Sequence, residues 1–166
     1  KKRKELFGDH QHNLWKCRWG ATLNYNDMSS SSIHFDDDSG ANYTYELESN
    51  IENFATAKAQ LIEFTRNIMQ RIGQDFHDWI ASVCDVRLLL RTYAVNVVVG
   101  MWDDYWNNSN NFYIYFNSSD LNNYQFFFIP YDYDNTLGTS LDCGVQNDSA
   151  RQDPLNWGDT GRNPLI

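Results

Sequence analysis

Phe112-Tyr113-Ile114-Tyr115-Phe116-Asn117 and Tyr124-Gln125-Phe126-Phe127-Phe128-Ile129 are aromatic and apolar runs separated by a polar Ser/Asp/Asn segment, and the second leads into Pro130-Tyr131-Asp132-Tyr133-Asp134. Two such runs about a polar turn predict a β-hairpin. Ahead of the first run stand Gly100-Met101-Trp102-Asp103-Asp104-Tyr105 and then Asn111. In an antiparallel hairpin the start of one strand lies near the end of its partner, so Asn111 is expected beside Asp132. Converging carboxylate and carboxamide oxygens suit a hard cation such as magnesium or manganese. A further Asp held just off the metal could orient or deprotonate a hydroxyl, as phosphoryl transfer requires. The alternative is that Asp103, Asp104, Asp132 and Asp134 cap helices and make turns, as Asp commonly does.

Working upstream, Leu88-Leu89-Leu90-Arg91-Thr92-Tyr93-Ala94-Val95-Asn96-Val97-Val98-Val99 is apolar on nearly every side and too long for a typical strand. Length predicts a buried helix despite the valines, with Asp85 as its cap. A short helix is expected over about Gln74–Val83. Before it, Phe54, Ala57, Leu61, Phe64, Ile68 and Ile72 recur at three- and four-residue spacing, and Ser49-Asn50-Ile51-Glu52 has the pattern of a capping box. These predict a helix running to about Ile72. Tyr43–Leu47 reads as a strand, Ser29–Gly40 as a polar loop, Asn13–Tyr25 as a strand or hairpin, and Lys1–Gly8 as the end of a helix. The Asp36-Asp37-Asp38-Ser39-Gly40 run lacks the glycine spacing and closing Glu of an EF-hand loop, so a solvated turn is expected there. The expected organisation is thus a mixed strand and loop region over 1–50, a helical region over 51–100, the acid-bearing loop and hairpin over 101–138, and an irregular tail over 139–166.

Composition narrows the function. With 22 acidic against 13 basic residues the formal charge is −9, which argues against binding a phosphate backbone or an anionic membrane surface unless metal ions intervene. At 42% hydrophobic and 16% aromatic residues, the chain has ample material for a core, which excludes a disordered acidic tail. No apolar run reaches about 18 residues, so no membrane span is expected, and the charged first four residues are not those of a signal peptide. Cys17, Cys84 and Cys143 are far apart and lack a Cys-x-x-Cys pair, so a zinc site is not expected, and at most one disulfide could form within the chain. Glycosylation-type sequons begin at Asn42, Asn107, Asn117 and Asn147, but 19 Asn residues make chance matches expected.

The combination Trp102-Asp103-Asp104-Tyr105, Asn111-Phe112-Tyr113-Ile114-Tyr115 and Ile129-Pro130-Tyr131-Asp132-Tyr133-Asp134-Asn135-Thr136-Leu137-Gly138 resembles the spore coat protein H (CotH) kinase family. Weaker similarity reaches back to Asn13-Leu14-Trp15-Lys16-Cys17, and the final Asn163-Pro164-Leu165-Ile166 looks like the start of the family's next helix. The resemblance implies an α+β, atypical protein-kinase-like fold, present in part: catalytic-lobe helices and a β-hairpin, with most of the nucleotide-binding lobe missing. It implies that Asp103 is the catalytic-loop Asp, that Asn111 is the catalytic-loop Asn on a metal and at the cofactor, and that Asp132 is the metal-binding Asp of the Asp-Phe-Gly position. Asp134 would add a second oxygen. Asp104 competes with Asp103 for the catalytic role, because seven residues separate Asp103 from Asn111 where compact members have four, so the loop must bulge. The implied cofactors are Mg2+ or Mn2+ and ATP, the implied acceptors are Ser/Thr hydroxyls of a surface or coat protein, and the implied location is extracellular, at a cell surface or spore coat. No Gly-x-Gly-x-x-Gly occurs, and a segment lacking that loop is expected to be inactive alone.

Two rival readings come from the same residues. Asp132-Tyr133-Asp134-Asn135-Thr136 after an apolar strand resembles the Asp-x-Asp-x-Thr signature of haloacid-dehalogenase-like phosphatases, whose first Asp is a nucleophile. That chemistry needs a downstream Lys, and Lys occurs only at positions 1, 2, 4, 16 and 58. The other is a surface adhesion or coat-assembly module without catalysis, in which Trp102, Tyr105 and Trp106 would be exposed to hold a carbohydrate or a cell-surface partner.

Overall fold

The computed structural model describes residues 12–29, 31–35, 37, 39–138, 153 and 164–165. Strands β1 (Asn13–Cys17), β2 (Ile33–Phe35), β3 (Tyr45–Leu47), β4 (Phe112–Phe116) and β5 (Phe126–Pro130) form one sheet in the order β2-β3-β1-β4-β5. Helices α1 (Phe54–Gln70), α2 (Gly73–Val83), α3 (Val86–Val98) and α4 (Tyr105–Asn108) complete a mixed α+β architecture. The β2–β3 pair is parallel and the other pairs antiparallel. Among the described residues no helix is long and apolar enough to cross a membrane.

Alternation along the strands decides which sheet face is covered. Trp15 and Cys17 on β1, and Phe112, Ile114 and Phe116 on β4, are fully buried on the side that α1 covers, whereas Lys16, Tyr113 and Tyr115 point to the opposite, partly accessible face. The stripe Ala57, Leu61, Phe64 and Ile68 of α1 supplies the other half of the core. Phe64 stands at its centre, with ring centroids 4.6 Å from Phe126 and 5.3 Å from Phe116.

The same interface contains a buried chain of amides. Asn50 Nδ2 donates to Asn13 Oδ1 at 2.7 Å, Asn13 Nδ2 donates to Gln60 Oε1 at 2.7 Å, and Gln60 Nε2 donates to the carbonyls of Ser118 and Asp120 at 2.7 and 3.0 Å. The side-chain amides of Asn13, Asn50 and Gln60 are therefore matched to one another, and α1 is tied to the turn of the β4–β5 hairpin.

The hairpin, α1, α2 and the strand at Tyr45–Leu47 fall where the sequence places them, and Asp85 caps α3 by accepting from Leu88 N–H at 3.0 Å. Four expectations are corrected. The polar loop Ser29–Gly40 contains β2, because Ile33 is buried and the segment pairs alongside β3. Only the beginning of Asn13–Tyr25 is a strand. The capping box does not form: Ser49 Oγ instead accepts from Leu14 N–H at 3.0 Å and donates to the His12 carbonyl at 3.1 Å, while Ile51–Asn53 makes a 3-10 turn ahead of α1. The fourth concerns α3, which is not buried. Only Leu89, Tyr93 and Asn96 are inaccessible, and Leu88, Leu90, Val95 and Val98 are at least half exposed. Among the described residues the helix packs against β5 through the stripe of Leu89, Tyr93 and Asn96.

Cys17 and Cys84 are free and buried, and burial pushes the Cys84 thiol up to about 11. The helix end expected over Lys1–Gly8, the tail over 139–163 and Cys143 lie outside the described residues, apart from Asp153. In the acidic run, Asp37 accepts from Ser39 N–H at 3.1 Å, the hydrogen bond of an exposed turn.

Candidate functional site

The end of α3 sets up the acid-bearing loop. Gly100, at φ 68°, lets Met101 N–H reach the Asn96 carbonyl at 2.9 Å and Gly100 N–H reach the Val97 carbonyl at 3.1 Å. This is a Schellman closure, which needs a left-handed residue at that position. The chain then turns through Trp102 to Asp103 and Asp104.

The residues between Asp103 and Asn111 bulge as one helical turn. Asp104 is the N-cap of α4, its Oδ1 accepting from Asn107 N–H at 3.1 Å, and Ser109 and Asn111 take left-handed φ of 53° to bring the chain into β4. The outcome is a carboxylate surrounded by amides. Asp103 Oδ1 accepts from Asn108 Nδ2 at 2.6 Å and Asn110 Nδ2 at 3.1 Å, and Oδ2 accepts from Asn111 Nδ2 at 2.9 Å. Asn111 Nδ2 also reaches the Asp103 carbonyl at 3.0 Å.

The neighbouring acids differ in environment. Asp103 is partly accessible, whereas Asp104 is 1% exposed, with its second oxygen accepting from Asn96 Nδ2 at 2.9 Å. Burial pushes the Asp104 carboxyl up to about 6 against these hydrogen bonds. Both acids have their two oxygens hydrogen-bonded, so accessibility separates them: Asp104 is buried, whereas Asp103 keeps a partly accessible side toward solvent.

Hairpin register brings the second acidic turn alongside. Phe112 faces Pro130, and Tyr131 N–H donates to the Asn111 carbonyl at 3.1 Å, so Asp132 follows immediately at the same end of the sheet. Asp132 is exposed with φ 63° and precedes a 3-10 turn over Tyr133–Asn135. Partial loss of hydration, the charges of Asp134 and Asp103, and a side-chain hydrogen bond with Asp134 raise the Asp132 carboxyl above its ordinary range, with Lys16 opposing them. Lys16 Nζ lies 5.7 Å from the Tyr131 ring centroid.

Asp103, Asn111, Asp132 and Asp134 thus gather at one end of the hairpin. The donor set is hard oxygen, and the mutual repulsion acting on Asp132 is of the kind a cation relieves. Among the described residues, however, no three His, Cys, Asp or Glu side chains are close enough together to hold a metal ion. Asn111 uses its Nδ2 on Asp103, leaving its amide oxygen as the atom that could meet a cation.

The amides around Asp103 and Asp104 carry little signal in the sequence. Asn108 and Asn110 read only as part of a polar loop, and the single pointer is Asn96, since a lone amide in an apolar helix signals a buried partner. Of the aromatic residues expected on a carbohydrate or partner surface, Trp102 and Tyr105 are buried, with the Tyr105 hydroxyl donating to the Thr22 carbonyl at 3.1 Å, and Trp106 is partly buried against the core. As for the phosphatase reading, β5 stands at the edge of the sheet, antiparallel to β4.

Among known protein families, the model described as CotH kinase protein matches residues 1–166. No curated protein and no solved structure matches the chain.

Proposed function

The chain belongs to the CotH kinase family, and from that premise we propose that Asp103, Asn111, Asp132 and Asp134 form the catalytic end of an atypical, kinase-like phosphotransferase domain. Family membership itself points to a kinase-like or spore-coat-related role and to a protein substrate. The finer reading is transfer of the ATP γ-phosphoryl group to a Ser/Thr hydroxyl of a surface or coat protein. One observation carries it: Asp103 is held by three side-chain amides yet remains accessible, while Asp104 is consumed inside the fold.

In this reading Asp103 orients the acceptor hydroxyl and takes its proton as the oxygen–phosphorus bond forms and the bond to ADP breaks. The amides of Asn108, Asn110 and Asn111 fix the carboxylate's direction before substrate arrives, which removes a reorganisation cost from the reaction. Asn111, Asp132 and Asp134 would hold Mg2+ or Mn2+, which when bound supplies the positive charge that lets a triphosphate approach an acidic cleft.

The test is transfer of labelled γ-phosphate from ATP to protein by the intact protein, with and without Mg2+ or Mn2+. Loss of metal-dependent transfer in Asp103→Asn and Asp132→Asn, with Asp120→Asn unaffected, is the expected result. Transfer that persists in Asp132→Asn defeats the assignment, and a parent that never transfers phosphate returns the chain to the coat-assembly reading.

A further inference from the structure

Asn96 lies in the third turn of α3, is 1% exposed, and has every polar group of its side chain engaged. Its Nδ2 donates to Asp104 Oδ2 at 2.9 Å, and its Oδ1 accepts from the Tyr133 hydroxyl at 2.7 Å. Its main-chain carbonyl accepts from Met101 N–H at 2.9 Å. One residue of the helix therefore touches the loop at its start, the acid next to Asp103, and the residue between Asp132 and Asp134.

We infer that Asn96 is a positioning residue whose amide holds the Asp132–Asp134 turn in register with the Asp103 loop, through Tyr133 on one side and Asp104 on the other. This rests on the reading of those acids as a metal and phosphate site. The chemistry demands an amide. A carboxylate at this position would repel Asp104, a leucine would leave both partners unpaired, and only a group with a donor at one end and an acceptor at the other satisfies a carboxylate and a hydroxyl together.

The turn needs such a tie. Its ends are held by main-chain bonds, Tyr131 N–H to the Asn111 carbonyl at 3.1 Å and Leu137 N–H to the Val99 carbonyl at 2.7 Å. Its interior begins with Asp132 at φ 63°, without a side-chain cap hydrogen bond. A left-handed non-glycine residue persists where its surroundings over-determine it. The Tyr133–Asn96 bond supplies that constraint between the two acids, which flank Tyr133 in the chain.

Tyr133→Phe tests this in the intact protein, because it deletes one hydroxyl from a partly exposed ring and leaves the core untouched. Two quantities are read: Mn2+ affinity by electron paramagnetic resonance, and hydrogen exchange across residues 131–137 compared with α1 and β4. Loss of one neutral hydrogen bond predicts Mn2+ binding weakened about fivefold and exchange in 131–137 accelerated by a similar factor, with α1 and β4 unchanged. Either quantity at the parental value overturns the inference, as does acceleration spread evenly through the chain. A parent that binds no Mn2+ defeats the metal reading of the acids instead. The exchange comparison then decides the Asn96 tie by itself, a locally loosened turn supporting it and an unchanged turn overturning it.

Discussion

A single nitrogen, Nδ2 of Asn111, donates to both the carboxylate and the carbonyl of Asp103, at 2.9 and 3.0 Å. Asn111 is buried at the head of β4, so the orientation of Asp103 is referred to the sheet rather than to its own loop. Rigid reference of this kind separates a positioned acid from one that merely ends a turn.

Asn111→Leu removes the amide at similar volume and frees one oxygen of Asp103. If Asp103 is the catalytic acid proposed above, phosphotransfer in the intact protein is expected to fall by about tenfold to a hundredfold, the range for misplacing a catalytic group, with a melting temperature lowered by only a few degrees. Parental activity in the folded variant would remove Asn111 from the site.

Asp104 gives a pH signature. Because its carboxyl is pushed up to about 6 in the folded state, the folded protein holds this proton more tightly than the unfolded chain does. The associated stability is fully present below about pH 4 and is lost as pH rises through about 6. Asp104→Asn lacks this term, so the difference in unfolding free energy should move in the variant's favour by at most about 3 kcal/mol between pH 4 and 7. Denaturation curves of parent and variant that stay parallel over that range would contradict the burial argument.

Gln60→Ala leaves Asn13 Nδ2 and the carbonyls of Ser118 and Asp120 without their buried partner. An unmatched buried donor costs about 1–3 kcal/mol, and the truncated side chain adds a cavity. Chemical denaturation should show a loss of at least that size, with the hairpin turn gaining hydrogen exchange first.

Gly100→Ala places a side chain at φ 68°, where the Schellman closure of α3 requires a left-handed residue. A loss of about 1 kcal/mol is expected, measured as a lowered denaturation midpoint. An Ala variant as stable as the parent would show that the loop after α3 does not depend on this closure.

Much of the candidate site was legible because its signals are local. Two aromatic runs about a polar turn specify a hairpin, a hairpin brings Asn111 beside Tyr131, and Asp132 follows in the chain. The stripe Ala57, Leu61, Phe64 and Ile68 likewise specifies α1 through its own periodicity. What stayed hidden depended on partners distant in sequence. β2 is a three-residue strand that exists by pairing with β3, and a polar run cannot announce that. The helix over Val86–Val98 is apolar nearly all round, so periodicity could not say which stripe is covered.

The choice between Asp103 and Asp104 shows the division most sharply. By itself the sequence determined the hairpin, the long helix and the presence of two adjacent acids ahead of Asn111, since these follow from turn chemistry and apolar spacing. Only the tertiary structure gave them different environments. It buried Asp104 against Asn96 and left Asp103 accessible under three amides. Adjacent carboxylates are chemically identical in sequence, and desolvation and hydrogen bonding, which are properties of the surrounding fold, make them different acids.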